Sequence, residues 1–372
     1  MFEFLIVGAG FAGCVLAERI ATVLNKPILI VEKRDHIGGN AYDFYNNDGI
    51  LVHKYGPHWF HTNDKNVVNY LSLFTDWRFH KHRVRVWVDD KLLPFPINID
   101  TINKLYGLNF KNSEELKAYF DRVKVNIVQP KNAEEMVLSR FGLDLYQKIF
   151  KKYTLKQWNV DPKELLPEVT GRIPIRYDHE DSYFDDIYQM MPMQGYTKLF
   201  ERMVDNKNIS VSLNTDYKDI INKISFKKLI YTGPVDEFFN YKYGKLPYRS
   251  VYFEHKTMHN KFYQEYQQIN FPNHFAYTRI IEWKHATGQK HCYTTITKEY
   301  PCDPEENNNE KYYPVLTHKS VVQYQAYKKE ADRLNNIYFC GRLAEFKYYN
   351  MDQVVKRALH LFSEIAKEYK PI

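Results

Sequence analysis

The stretch FLIVGAGFAGCVLAERIATVLNKPILIVEK, residues 4–33, restricts the fold more than any other part of the chain. A short apolar run, 4–7, is followed by Gly8, Gly10 and Gly13 in G-x-G-x-x-G order, and a helix-like pattern continues to about Leu24. A second apolar run then ends in Glu32. Short, continuously apolar runs separated by a helix read as neighbouring buried strands of a parallel sheet. In such a unit the glycines let the backbone approach a pyrophosphate at the helix N-terminus, and the acid after the second strand accepts the ribose hydroxyls. The pattern predicts a dinucleotide site built on Gly8, Gly10, Gly13 and Glu32.

The segment that follows, EKRDHIGGNAYD, brings in a second glycine pair, Gly38 and Gly39, with Asn40 beside it. It gives the backbone a second close approach to a ligand that extends past its adenosine half. Near the other end, NIYFCGRLAEF supplies an apolar strand, 337–340, closed by Gly341 and Arg342. A predicted helix begins at about Asn350 and Met351 and points its positive end toward the same ligand. The two ends of the chain therefore build one site. This split arrangement resembles the glutathione-reductase-like FAD proteins, which implies FAD lying along the sheet, with the C-terminal strand and helix reaching the isoalloxazine. An NAD dehydrogenase would not need it.

With 372 residues and 44% hydrophobic content, the chain can bury a large core in two or three domains. The net charge of +7 is spread along the chain with acids between the bases, so no basic stripe marks a nucleic-acid binder. A mild positive field suits an anionic small molecule. Cys14, Cys292, Cys302 and Cys340 have neither C-x-x-C spacing nor histidine partners at metal-ligand intervals, so no metal and no disulfide framework is expected. They read as reduced thiols. No apolar run reaches membrane-spanning length and no cleavable leader opens the chain, so a soluble, cytoplasmic protein without membrane insertion is expected.

The fold class expected is α/β: a Rossmann-like FAD-binding domain with an inserted helical subdomain and an antiparallel β-sheet subdomain. The FAD-binding part is discontinuous, 1–78, 194–240 and 316–372. The helical insert spans 99–168, where apolar residues recur at helical spacing and Asn112 or Ser113 and Asn132 precede acidic first turns. The antiparallel sheet takes 79–98, 169–193 and 241–315, where β-branched and aromatic residues alternate with polar ones, as in YRSVYFEH and HCYTTITKEYP.

The stretch TGRIPIRYDHEDSYFDDIYQMMP, residues 170–192, combines guanidinium forks with aromatic faces. That pairing suits a ligand with both phosphates and a flat ring. Together with LIVGAGFAG, VEKRDHIGGNAYD, VHKYGPHWFHT, YTLKQW, YTRIIEWKH, TKEYP and YFCGRLAEFKYYNMDQV, in that family's order over nearly the whole chain, it is similar to the bacterial UDP-galactopyranose mutases. The resemblance implies a flavoenzyme, an isomerase that interconverts pyranose and furanose forms of a nucleotide-linked sugar for cell-surface polysaccharide biosynthesis. Reduced FAD attacks the anomeric carbon through N5 and no net electrons are transferred. It also implies a UDP-sugar substrate, and a homodimer or higher homo-oligomer is expected.

Residue by residue, the resemblance assigns Arg172 and Arg279 to the diphosphate, with the hydroxyls of Tyr313 and Tyr348 beside them. Tyr153 and Phe184 take base and substrate contacts, Trp158 the pocket near a lid, Tyr183 further aromatic surface, and Arg249 a position by the active site. Lys156 and Gln157 argue against a fully buried face for Tyr153 and Trp158. Gly8, Gly10, Phe11, Gly13, Glu32, Lys33, Gly39, Asn40, Arg342, Asn350 and Met351 are the cofactor set. His58 and His61 lie beside the flavin as imidazoles that titrate near working pH.

PEVTGRIP, residues 167–174, has too little apolar periodicity for a helix and is expected to be a mobile lid carrying Arg172, with Arg176 on a strand facing away. Trp59, Trp283 and Asn350 depart from the family pattern, which leaves room for UDP-arabinopyranose, UDP-N-acetylgalactosamine or a 6-deoxy sugar as substrate. A flavin-dependent oxidase of the same fold is the rival reading.

Overall fold

Phe2–Val7 and Ile28–Val31 lie side by side, parallel, in the computed structural model, which describes residues 1–308 and 310–369. Residues 370–372, the end of the expected 316–372 segment, lie outside the described residues. Around this pair a five-stranded parallel sheet runs in the order Ile209–Ser212, Ile28–Val31, Phe2–Val7, Phe226–Tyr231, Ile337–Phe339. Phe4, Leu5 and Ile6 are fully buried, because the sheet is covered on both faces. On one face the first helix, Phe11–Val23, packs Val15, Leu16 and Ile20 into the same core as Val355, Ala358, Leu361 and Ile365 of the last helix, Met351–Lys367. The chain's beginning and end are thus locked together by apolar burial.

A second sheet of seven strands runs Tyr313–Pro314, Tyr248–Met258, Thr294–Cys302, Arg279–Glu282, Gln268–Asn270, Val84–Val88, Lys91–Phe95. Gln268–Asn270 pairs parallel with Val84–Val88 and the other ladders are antiparallel. Val84, Val86, Leu93 and Phe95 form one core with Leu116, Phe120, Phe141 and Phe150 of the helical region, so the helices are seated on one end of this sheet. Asn112 and Asn132 cap Ser113–Val123 and Ala133–Leu145 by accepting from the N–H groups of Glu115 and Glu135. The long helical pattern beyond Asn132 is not one helix. It kinks at Gly142 (φ 79°), where a Cβ would meet the Val123 carbonyl at 2.3 Å, and passes through a wider turn, Tyr146–Lys151, into Lys152–Trp158.

One strand differs from expectation. Tyr188–Pro192, placed by its alternation with the large sheet, is the centre of a separate three-stranded sheet between Phe60–Thr62 and Trp77–Phe79. Alternation gives the strand but not its neighbours, and pairing with Phe60–Thr62 brings the aromatic segment before it against His61.

Candidate active site

Two cavities meet at this junction. The first runs along the end of the parallel sheet and is lined by Gly8, Gly10, Phe11, Glu32, Lys33, Gly39, Asn40, His58, Arg342 and Met351. The first helix opens on it from Gly10, which offers no side-chain cap, so the helix's leading N–H groups are available to an anion. Gly13 does not line the cavity but makes it possible: a Cβ there would lie 1.9 Å from the Gly8 carbonyl. Gly39 (φ +56°) brings its turn against the first one, where a Cβ would stand 2.9 Å from Gly10 Cα. Glu32 is held in place by the N–H groups of Ala9 (2.9 Å) and Arg34 (3.0 Å).

Sequence reasoning missed Arg34. It donates to Asn40 Oδ1 at 2.9 Å, pairs with Glu310, and lies over the Tyr55 ring at 4.1 Å. It also missed the opposite wall, Thr215–Lys218, Glu237 and Lys311. No local signal marks these residues, which converge only through the fold. Uncapped helix, paired glycine turns and terminal acid fit a dinucleotide such as FAD.

The second cavity shares His58, Arg342 and Met351 with the first and continues between the helical region and the seven-stranded sheet. Into it point His61, Tyr153, Trp158, Arg172, Tyr183, Phe184, Arg279, Tyr313, Tyr348 and Asn350. Gln157 also lines it, and so do His82, Asp186, Gln268, Asn270 and Glu299, which were not singled out from the sequence, though Glu299 stands within TKEYP.

One corner is strongly cationic. The Arg172 guanidinium lies 4.3 Å from the centre of the Tyr348 ring, and Arg342 stands 5.1 Å from Tyr313 and 5.2 Å from Tyr348. The two tyrosine rings are stacked at 5.5 Å, with Trp158 edge-on to both. Burial works to raise both phenols. At Tyr348 the adjacent guanidiniums of Arg172 and Arg342 overcome it and pull the phenol below its ordinary value, while Tyr313 is pushed up to about 12. Arg279 Nε stands 2.9 Å from Glu299 Oε2, an ion contact without hydrogen-bond alignment, and Glu299 Oε1 has no partner among the described residues. Arg172 has no carboxylate partner among the described residues; its neighbour is the Tyr348 phenol, so its charge is not neutralised by an acid in the cavity it lines.

Several expectations are corrected. Arg249 does not reach this cavity: it is buried behind the Lys152–Trp158 helix, donating to the Gln157 carbonyl (3.3 Å) and pairing with Asp303. Lys156 and Gln157 do not mark a solvated face. Gln157 is buried, and the Lys156 ammonium is caught by the carbonyls of Phe271, Phe275 and Tyr277 at 2.6, 2.8 and 3.1 Å, its burial drawing the pKa down to about 8. His58 does not titrate near neutrality, because burial pushes its imidazole down to about 4. His61 and Asn350 line the second cavity rather than the first, and Asn350 caps the last helix. Trp283 touches neither cavity; it is buried behind Trp59 and donates to Thr297 Oγ1 at 2.7 Å. The 167–174 segment contains a helical turn, Glu168–Gly171, with Val169 and Thr170 buried. Arg176 is not on a strand facing away: it donates to the Ser182 carbonyl at 2.8 Å and pairs with Asp185.

A dinucleotide cleft opening onto a cavity of arginines and aromatic rings defines a nucleotide-dependent enzyme of the two-domain flavoprotein type. The family described as NAD(P)-binding Rossmann-like domain matches residues 6–74, and that described as UDP-galactopyranose mutase matches residues 148–348. The chain belongs to the UDP-galactopyranose mutase family, whose members of that name are isomerases. It is 35% identical to the UDP-galactopyranose mutase of Mycoplasma genitalium, covering 97% of this chain and 95% of that one. It is 32% identical to the dTDP-fucopyranose mutase of Escherichia coli over 96% and 97% of the two chains. Among solved structures, a reduced UDP-galactopyranose mutase superposes with a TM-score of 0.78 at 16% identity, over 99% of this chain and 96% of that one.

Proposed function

We propose that this chain interconverts the pyranose and furanose forms of a nucleotide-linked sugar, with UDP-galactopyranose as the first substrate to test. The observation that carries this reading is Arg172, a guanidinium with no carboxylate partner among the described residues, sharing with Arg279, Tyr313 and Tyr348 a cavity that opens onto the dinucleotide cleft. A leaving diphosphate gains charge as the glycosidic bond breaks, so these groups stabilise the transition state more than the bound substrate. Tyr153 and Phe184 offer faces for the base, Trp158 closes the corner behind Tyr313 and Tyr348, and Tyr183 extends the wall. FAD, held by Gly8, Gly10, Phe11, Glu32, Lys33, Gly39, Asn40, Arg342 and Met351, supplies when reduced a nucleophilic N5 and no net electrons. Arg249 serves at one remove, by tethering the helix that carries Tyr153 and Trp158. The 167–174 segment moves over the sugar as the diphosphate is bound.

A different nucleotide sugar is the second reading, favoured by the likeness, at 32% identity, to a relative named for a dTDP-fucopyranose and by Trp59, whose indole Nε1 has no partner among the described residues at the cavity wall. A homodimer or higher homo-oligomer belongs to the proposal, as does a cytoplasmic location in keeping with four free cysteines. The test is to incubate dithionite-reduced protein with UDP- and dTDP-pyranoses and follow furanose formation by chromatography. Isomerisation by the reduced but not the oxidised protein is expected. Oxidation of an amine with no nucleotide sugar converted would replace this reading by the oxidase one.

A further inference from the structure

His61 is held on two sides, by a carboxylate at one ring nitrogen and by an aromatic ring against its face. Its Nδ1 stands 2.6 Å from Asp186 Oδ2, and its face lies on the Phe184 ring with centroids 3.5 Å apart and planes 11° from parallel. The segment that supplies both partners is itself pinned: the buried Gln189 amide donates to the Phe184 carbonyl at 3.2 Å and the Asp186 carbonyl at 3.0 Å, while Arg176 donates to that of Ser182. Gln189 sits opposite His61 in the strand pair. Among the described residues Nε2 has no partner, so it is the ring nitrogen left for the cavity that His61 lines. The other ionisable groups around the ring are Asp352, at the start of the last helix with its Oδ2 bonded to the Thr62 hydroxyl, and His82, whose ring packs against Phe184.

A carboxylate on Nδ1 fixes the tautomer and favours the imidazolium. Changing a sugar's ring size needs that device. The bond from the anomeric carbon to the old ring oxygen breaks and that oxygen gains a proton; a bond to a neighbouring hydroxyl oxygen forms and that oxygen loses one. Protons balance and no electrons are exchanged. We propose that Asp186 is a positioning residue that holds His61 with Nε2 toward the sugar, so that one imidazole gives a proton to the departing ring oxygen and recovers one from the hydroxyl that replaces it. The inference rests on the mutase reading above. In the reverse direction the two oxygens exchange roles.

The test uses flavin-loaded protein. In Asp186→Asn the carbonyl keeps a contact with the ring but the charge is gone. Turnover is expected to fall about ten- to hundredfold, the scale of a weakened acid–base group, with KM little changed. Because the imidazolium loses its counter-charge, the alkaline limb of the kcat profile moves to lower pH, and Asp186→Glu restores part of both. Independently, nitrogen-15 NMR of the histidine rings without substrate, with His61→Gln to assign the signal, should show His61 losing its proton at lower pH in Asp186→Asn. Turnover within about twofold of wild type at every pH, or an unmoved His61 titration, overturns the proposal. A wild-type protein that isomerises no nucleotide sugar refutes the mutase reading instead, and the NMR titration still decides whether Asp186 governs His61.

Discussion

Arg172 combines two features that set it apart from a structural ion pair: an aromatic ring beneath the guanidinium and, among the described residues, no carboxylate beside it. The Tyr348 ring attracts the guanidinium without neutralising it as a carboxylate would. Arg172→Ala is therefore expected to lower turnover by about two orders of magnitude, the scale of a lost transition-state donor, with flavin content unchanged. Arg172→Lys should recover little, because a point charge neither stacks nor forks. Steady-state kinetics with the visible absorbance of the purified proteins check both. Gly13 is the opposite kind of residue, important for what it lacks. A methyl group 1.9 Å from the Gly8 carbonyl has rigid backbone on both sides and nowhere to move, so Gly13→Ala should be recovered with most of its flavin absorbance gone.

At the scale of elements, the Lys152–Trp158 helix is the piece on which the proposed base contacts depend, and it is held from behind. Arg249 bonds its last-turn carbonyl at Gln157, and Lys156 is seated in three carbonyls of the 271–277 loop. Arg249→Leu should raise KM for the nucleotide by about tenfold, the worth of one charge-assisted bond, while kcat and flavin content change little. A kinetic split in the other direction would return Arg249 to the catalytic corner. The same helix shows what the sequence makes legible and what it leaves hidden. Periodicity and caps act within a few residues, so the strand, glycine turn and helix at 4–24, the caps at Asn112 and Asn132 and the final helix after Asn350 could all be read directly. Arg249 and Arg176 were misplaced because the direction of a side chain depends on which face of a sheet is covered, and that is settled by strands distant in sequence. Asp186 and Glu299 escaped notice for the same reason: each becomes distinctive only beside its partner, His61 or Arg279, more than local patterning can reach.

Across the whole molecule, the seam between the parallel-sheet layer and the seven-stranded sheet is filled by imidazoles. His53 stands 5.8 Å and His82 5.2 Å from the Trp59 ring, with His58 and His80 next to them at 6.2 Å from His53 and Trp59 respectively. Burial holds all four neutral: His58 and His80 are pushed down to about 4, and His53 and His82 well below the ordinary histidine value of 6.5. As the pH falls below that value toward the folded-state values, the unfolded chain, with its histidines near 6.5, therefore binds more protons at these groups than the folded one. Their contribution to stability is complete above about pH 6.5 and is lost as the pH falls toward 4 and beyond. The midpoint of thermal unfolding should stay level between about pH 7 and 8 and drop steeply between about pH 6.5 and 4.5. Replacing His80, which touches neither cavity, by Gln keeps a polar partner for Gln267 and removes one titrating group, so the acid slope should become shallower while turnover at neutral pH is retained. Because His58 and His82 line the cavities as well as the seam, acid should release the flavin in step with unfolding. Circular dichroism and flavin fluorescence followed together would measure this, and flavin loss without any change in the unfolding midpoint would show that the seam does not couple the two layers.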